Sequence, residues 1–331
     1  SNRKILNVNM QNSYATNRLF KSYINQNWIL SSSKNDSTIL KIKKISFNNS
    51  FQRSTRVYFD SLNPDLFLNN FYSTESTHDS ILLDVFNSSI KYSIISNNDS
   101  IVQNFNFGLD SEILSYKNKL TDTILINQSV SLDFNKSKRN NSFRLGGIFY
   151  PLGYKKNNYE INFFYESFIL KDKKLKISAD LTEFRPVFEI NNYQSNHHFW
   201  DNKKFNNILF WNASTEISAG LFSLKSQINQ AYRPIYFTEY SEPSQFDSSL
   251  QVIQSSLNYN LIKKKYNLFA EIVYQYQGGA QIFQLPDWVG QVKFNYIFGN
   301  EKSNLKLSLG VNAKVFSSYA LPRYSSELNQ F

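Results

Sequence analysis

The chain has 331 residues, 16% of them aromatic and 41% apolar, with a mean hydropathy of −0.43 and only 10 Gly and 7 Pro. That aromatic share excludes a disordered chain, the lack of any run of about 18 apolar residues excludes a membrane helix, and zero Cys excludes disulfides, thiolate zinc sites and cysteine nucleophiles. The net charge is +10, but the cations stand in short scattered groups, which argues against a nucleic-acid partner: Lys41 with Lys43 and Lys44, Lys136 with Lys138 and Arg139, Lys171 with Lys173 and Lys174, and Lys263 with Lys264 and Lys265.

Taken in chain order, the segments repeat one pattern of period two. Phe105, Phe107 and Leu109 alternate with Asn104, Asn106 and Asp110, and Ile124, Ile126, Val130, Leu132 and Phe134 alternate with Asn127, Ser129, Ser131 and Asp133. Tyr159, Ile161, Phe163 and Tyr165 oppose Glu160, Asn162 and Glu166; Leu175, Ile177, Ala179 and Leu181 oppose Lys174, Lys176, Ser178 and Asp180. Leu209, Trp211, Ala213 and Ile217 oppose Asn212, Ser214 and Glu216. In the next segment Tyr266, Leu268, Ala270, Ile272, Tyr274 and Tyr276 oppose the mostly polar Asn267, Phe269, Glu271, Val273, Gln275 and Gln277, and rings close the apolar row at both ends. Finally Leu305, Leu307, Leu309, Val311, Ala313 and Val315 oppose Lys306, Ser308, Gly310, Asn312 and Lys314. A strand sends alternate side chains to opposite faces, so each segment has one apolar and one polar side. Apolar rows bounded by rings suit a lipid-facing band between two aromatic girdles.

The connections alternate in length. Residues 171–173, 220–221, 263–265 and 300–303 read as short polar turns, whereas 185–207, 233–249, 278–289 and the stretch from 317 onward read as long loops. Further back, 96–100 reads as a turn and 48–80 as a long loop. This rhythm predicts an all-β fold, an antiparallel transmembrane β-barrel with short periplasmic turns and long extracellular loops. About fifteen strands are expected in this chain and 16–18 in the complete protein, because closed single-chain barrels usually have an even number. No linker divides the chain, so residues 1–331 are expected to form a single barrel domain that lacks its closing C-terminal strands. No leader of charged, apolar and small residues occupies positions 1–20, which leads us to expect a removed signal or a numbering that begins inside a longer chain.

One long loop is distinctive. Its stretch 191–207 contains Tyr193, Ser195, Asn196, His197, Phe199, Trp200 and Asn202 and resembles the Tyr-x-Ser-Asn-His-Phe-x-Trp-x-Asn-x-Phe stretch of the putative porin family of Bacteroidota outer membranes. Ser76, Thr77, His78, Asp79 and Ser80 look like an earlier segment of that family. Tyr274, Gln275 and Tyr276 with Leu285 and Pro286, and residues 318–322 with Asn329, Gln330 and Phe331, look like its late signatures. The resemblance implies an outer-membrane location and a passive pore.

Chemistry offers little else. His197 and His198 lie beside Ser195 and Asp201, but a Ser-His-acid site is a matter of spatial geometry, and a folded loop packed on the barrel rim is the plainer reading. Adjacent His residues seldom aim both rings at one ion, and no third ligand is evident. No phosphate-binding glycine motif occurs, so no catalytic residue, metal or cofactor is expected. The polar faces carry the expected function, with Glu160, Glu166, Lys174, Lys176, Asp180, Glu216, Glu271, Lys293, Lys306 and Lys314 as candidate pore-lining residues. These charges either set a transverse field or pair into salt bridges. The expected function is passive diffusion of small hydrophilic solutes through a barrel in outer-membrane lipid. The alternative is a plugged barrel that serves as a structural or partner-binding component of the envelope.

Overall fold

The computed structural model describes residues 13–35, 39–61, 70–98, 100–170, 172–201, 204–238, 241–279, 285–299, 305 and 307–319. Fourteen long strands form one sheet: β1 (Ser13–Asn35), β2 (Ile39–Asp60), β3 (Thr77–Asn98), β4 (Ile101–Lys117), β5 (Asp122–Lys138), β6 (Asn141–Gly153), β7 (Tyr159–Leu170), β8 (Lys173–Phe184), β11 (Ile208–Ala219), β12 (Phe222–Tyr232), β15 (Ser249–Ile262), β16 (Tyr266–Gly279), β17 (Trp288–Phe298) and β18 (Leu307–Phe316). Four short strands lie in long loops: β9 (Tyr193–Gln194) pairs with β10 (Phe199–Trp200), and β13 (Ile235–Phe237) with β14 (Pro243–Gln245). A single helical turn, α1 (Phe188–Asn191), precedes β9. The all-β antiparallel architecture matches the expectation.

Every pairing in the large sheet is antiparallel and joins neighbours in its strand order. Among the described residues loop lengths alternate as expected; the turn expected at 300–303 lies outside them. Gly220 and Leu221 alone join β11 to β12, and Gly220 has φ +57, which a glycine adopts without the Cβ penalty. At the opposite end the chain runs through 185–207 between β8 and β11 and through 233–248 between β12 and β15. One expectation needs correction: residues 48–80 are not a single long loop, because β2 continues to Asp60 and β3 begins at Thr77. Among the described residues β1 and β18 are the two edges, and no ladder joins them.

The apolar rows stand on the outer face. Ile272, Leu309, Val311 and Val315 are each more than half exposed, with Val311 at 71%. A contiguous apolar surface on this scale is incompatible with water as its solvent. On β16 the row runs from Tyr266 to Tyr276, a span of about 34 Å along the strand that a tilt of ~40° projects to roughly 26 Å, near the ~25 Å height of a lipid-facing band. Lower rings include Phe222 beside Tyr259, 5.0 Å apart, and Tyr296 beside Phe298, 4.7 Å apart. Upper rings include Tyr274, Tyr276 and Trp288.

Candidate pore lining and the strap across its mouth

The polar rows share the inner face, and register decides which groups meet. Asp180 on β8 is level with Asn162 on β7 and Asn212 on β11, and Ser178 Oγ lies 2.8 Å from Ser214 Oγ. Farther round, Gln227, Gln254 and Gln275 form one row across β12, β15 and β16. A concavity of about 640 Å³ is lined by Glu160, Asp180, Arg144, Asn162 and Ser178, and a neighbouring one of about 620 Å³ by Asn25, Lys44, Lys91, Asp133 and Arg144. Asparagine, serine and glutamine dominate because each side chain must meet water where the outward neighbours meet lipid.

The candidate charges divide into pairs and singles. Lys174 Nζ is 2.8 Å from Glu166, Lys176 Nζ is 3.0 Å from Glu216, and Arg144, which the sequence reading missed, is 2.9 Å from Asp133. Glu271 is level with Asn258 and Gln291, Lys293 stands over the Phe269 ring at 5.7 Å, and Lys314 lies on the edge strand β18 opposite Gln291. Lys306 and Asn202 lie outside the described residues.

The distinctive loop is a strap. It leaves β8 and returns to β11, yet it packs on the inner face of β2, β3 and β4, with β5, β6 and β7 between in the sheet order. Tyr193 stacks on Trp200 with ring centroids 4.6 Å apart, and these two join Ile81 and Tyr116 of the wall in the buried cluster, with Leu83, Leu114, Phe188 and Phe237 around it. The Trp200 indole donates to the Glu189 carbonyl at 3.1 Å, which satisfies its one polar atom. Phe199 is the exception, 43% exposed and tilted against Phe71 at 5.7 Å.

Asn196 is the polar hub. It is 2% exposed; its Oδ1 accepts from the Tyr72 and Ser73 amides at 2.8 and 2.9 Å, and its Nδ2 donates to the Ser73 carbonyl and Thr77 Oγ1. Its own amide donates to the Asp79 carboxylate at 3.0 Å. His197 Nε2 is 2.6 Å from Thr77 Oγ1, while the His198 ring lies 6.3 Å from Trp200, so the adjacent imidazoles face different surroundings. Ser195 Oγ accepts from the His198 amide at 3.0 Å, a local turn bond. Thus the two segments that the resemblance singled out, 76–80 and 193–200, dock on each other. The wall's contributions, Arg56, Asp79, Thr77 and Tyr116, carry no signal in the sequence beyond the resemblance at 76–80, which covers two of them.

Arg56 donates to the Tyr193 hydroxyl at 3.1 Å. Burial pushes the Tyr193 phenol up to about 12, against the opposing pull of Arg56. Burial also raises the Glu189 carboxyl above its ordinary value, and Arg56 offsets part of that rise. A second loop buttresses the strap. The Tyr154 hydroxyl donates to the Pro186 carbonyl at 2.8 Å and accepts from Asn191 at 2.7 Å, and the Arg185 guanidinium lies over the Tyr154 ring at 4.4 Å.

Solved outer-membrane proteins share this fold. The siderophore receptor PirA from Pseudomonas aeruginosa is 9% identical, with TM-score 0.52 over 91% of this chain and 63% of the receptor. The ferric enterobactin receptor PfeA is 8% identical, with TM-score 0.54 over 93% of this chain and 58% of that one. The copper transporter OprC is 8% identical, with TM-score 0.52 over 78% and 49%. This chain therefore spans between about half and two thirds of their length, and at such identity the likeness is one of fold. No curated protein matches the sequence. The family whose description reads "Putative porin" matches residues 1–331, so this β-sheet wall, apolar outside and polar inside, is that of a bacterial outer-membrane protein, and the chain belongs to the porin family so described.

Proposed function

We propose that the protein is a passive, non-enzymatic channel for small hydrophilic solutes, with the Asn, Ser and Gln rows as the path and the strap as the element that sets its width. One observation supports this best: the polar inner face continues from strand to strand from β1 to β18, opposite an apolar outer face. Lys174, Lys176, Glu166 and Glu216 neutralise one another, so they solubilise the wall and contribute little net field. The remaining candidates, Glu160, Asp180, Glu271, Lys293, Lys306 and Lys314, would tune ion preference only weakly. The edges of β1 and β18 need partners inside the membrane, since each unpaired backbone group in hydrocarbon costs several kcal/mol. We read residues 1–331 as part of one barrel domain, closed by further pairing at those edges.

The strap favours a second reading, a plugged barrel that presents its loops to an envelope partner. Planar-bilayer recordings of the full-length protein separate the two. Stepwise conductance that grows when Asn196→Ala loosens the strap is the expected result; silence in both proteins would sink the channel and leave the plugged barrel.

A further inference from the structure

The four basic groups that lie scattered in the sequence come to one end of the sheet. Lys41 and Lys43 stand near the start of β2, Lys136 and Lys138 near the end of β5 with Arg139 in the next turn, Lys173 at the start of β8, and residues 263–265 form the turn between β15 and β16. All lie at the short-turn end of the sheet. Among the described residues Asp172 is the exposed carboxylate there, and Lys41, Lys43, Lys136, Lys138, Arg139 and Lys173 enter no ion pair. The opposite rim also carries cations outside ion pairs, Lys119, Lys156 and Lys204 among them, but mixes them with the exposed carboxylates of Glu75, Asp122, Asp201, Glu242, Asp247 and Asp287. It pairs others: Arg53 with Asp84 at 2.7 Å, Lys117 with Asp122 at 3.0 Å and Lys155 with Glu112 at 2.9 Å. An abundance of lysine alone would not sort the exposed carboxylates of the described residues towards one rim.

Direction matters as much as position. Lys41 and Lys43 continue the outward row of Ile45 and Phe47, and Lys136 and Lys138 continue that of Leu132 and Phe134. Trp28, 4.7 Å from Phe47 and on the same face, marks the lower ring level. Side chains just below such a ring carry their methylene stems along the apolar surface and place their ammonium groups among lipid headgroups. With adjacent strands about 4.8 Å apart, β2 and β5 bring the two outward pairs within roughly 14 Å.

We propose that the short-turn rim is a basic collar that binds anionic phospholipid headgroups of the leaflet it faces. Short turns are periplasmic in barrels of this class, so that leaflet is the inner one of the outer membrane. The inference rests on the membrane wall and is independent of whether the lumen conducts.

The test compares spin-labelled phosphatidylglycerol with spin-labelled phosphatidylcholine as boundary lipid around the full chain in phosphatidylcholine vesicles. The expected result is a preference for phosphatidylglycerol of about fivefold, the effect of one well-placed cation at a membrane surface, weakened by high salt. Combined Lys41→Gln, Lys43→Gln, Lys136→Gln and Lys138→Gln should abolish it, and the same four changes to Arg should retain it. Should the Gln protein fail to insert, the Arg protein and the salt series decide. Equal association of both lipids with the unmodified chain would overturn the proposal, as would a preference that survives the Gln changes. Polyglutamate binding to the chain without any lipid preference would also overturn it, and would assign the collar to an acidic protein surface.

Discussion

β3 and β16 belong to one sheet but are built for different surroundings. β16 has 14 residues and β3 has 22, whereas a tilted strand crosses a bilayer with about 9–11. Along β16 the assignment never changes: apolar outward, mostly polar inward. Along β3 it inverts. Ile90 and Ile94 point outward and Ser89, Lys91 and Ser93 inward; but farther up the inward row becomes Ile81 and Leu83, and the outward row carries Asp84 in an ion pair with Arg53. An outward ion pair marks wall that stands clear of lipid, and an inward apolar row marks wall that stands clear of the aqueous lumen because the strap covers it. Face chemistry thus follows the local solvent and not the strand.

The sharpest break of this comparison is one substitution at two heights. Ile272→Arg on β16 should weaken insertion by roughly 2–4 kcal/mol near the bilayer midplane, whereas Thr55→Arg, outward on β2 beside Arg53, should be tolerated. Folding titrations into vesicles measure both, and equal costs would remove the distinction. Next, Asn196→Ala strands the Tyr72 and Ser73 amides and Thr77, so strap docking should weaken by about 1–3 kcal/mol while the membrane wall is unaffected. Faster protease cleavage within 185–207, with unchanged strand content, is the expected signature.

The smallest effect is pH dependence. Burial raises the Glu189 carboxyl, so ionising it costs more in the docked strap than in a released one. Docking is therefore tightest below the ordinary carboxylate value and weakens as pH rises through the raised one. Cleavage rates followed across that window should rise in the unmodified chain and rise less steeply in Glu189→Gln, where the Asp79 carboxylate still takes part in docking.

The same solvent rule explains what the sequence disclosed. β16 was legible because its outward row touches only lipid and rings, and the alternating turns were legible from Lys171 onward. The stretch 48–80 was misread because the outward row of upper β2 reads Asn49, Phe51, Arg53, Thr55 and Val57, which mixes polar and apolar where lipid no longer dictates the choice. Lys174 and Lys176 were legible as inward, but their pairing with Glu166 and Glu216 depends on register, which alternation alone leaves open. The strap's contacts were hidden for another reason: they join residues far apart that share no periodicity, as Arg56 and Tyr193 do.

That separation bears on the order of assembly. Each ladder joins strands that follow one another in the sheet, many through turns of a few residues, so little chain must be closed into a loop for each addition. The strap contacts span 117 residues from Asp79 to Asn196 and 137 from Arg56 to Tyr193. Loop-closure entropy for such distant pairs is recovered only after the intervening strands are zipped and bring β2, β3 and β4 within reach. The strap is thus the last element to settle, and a wall still under construction carries an open mouth.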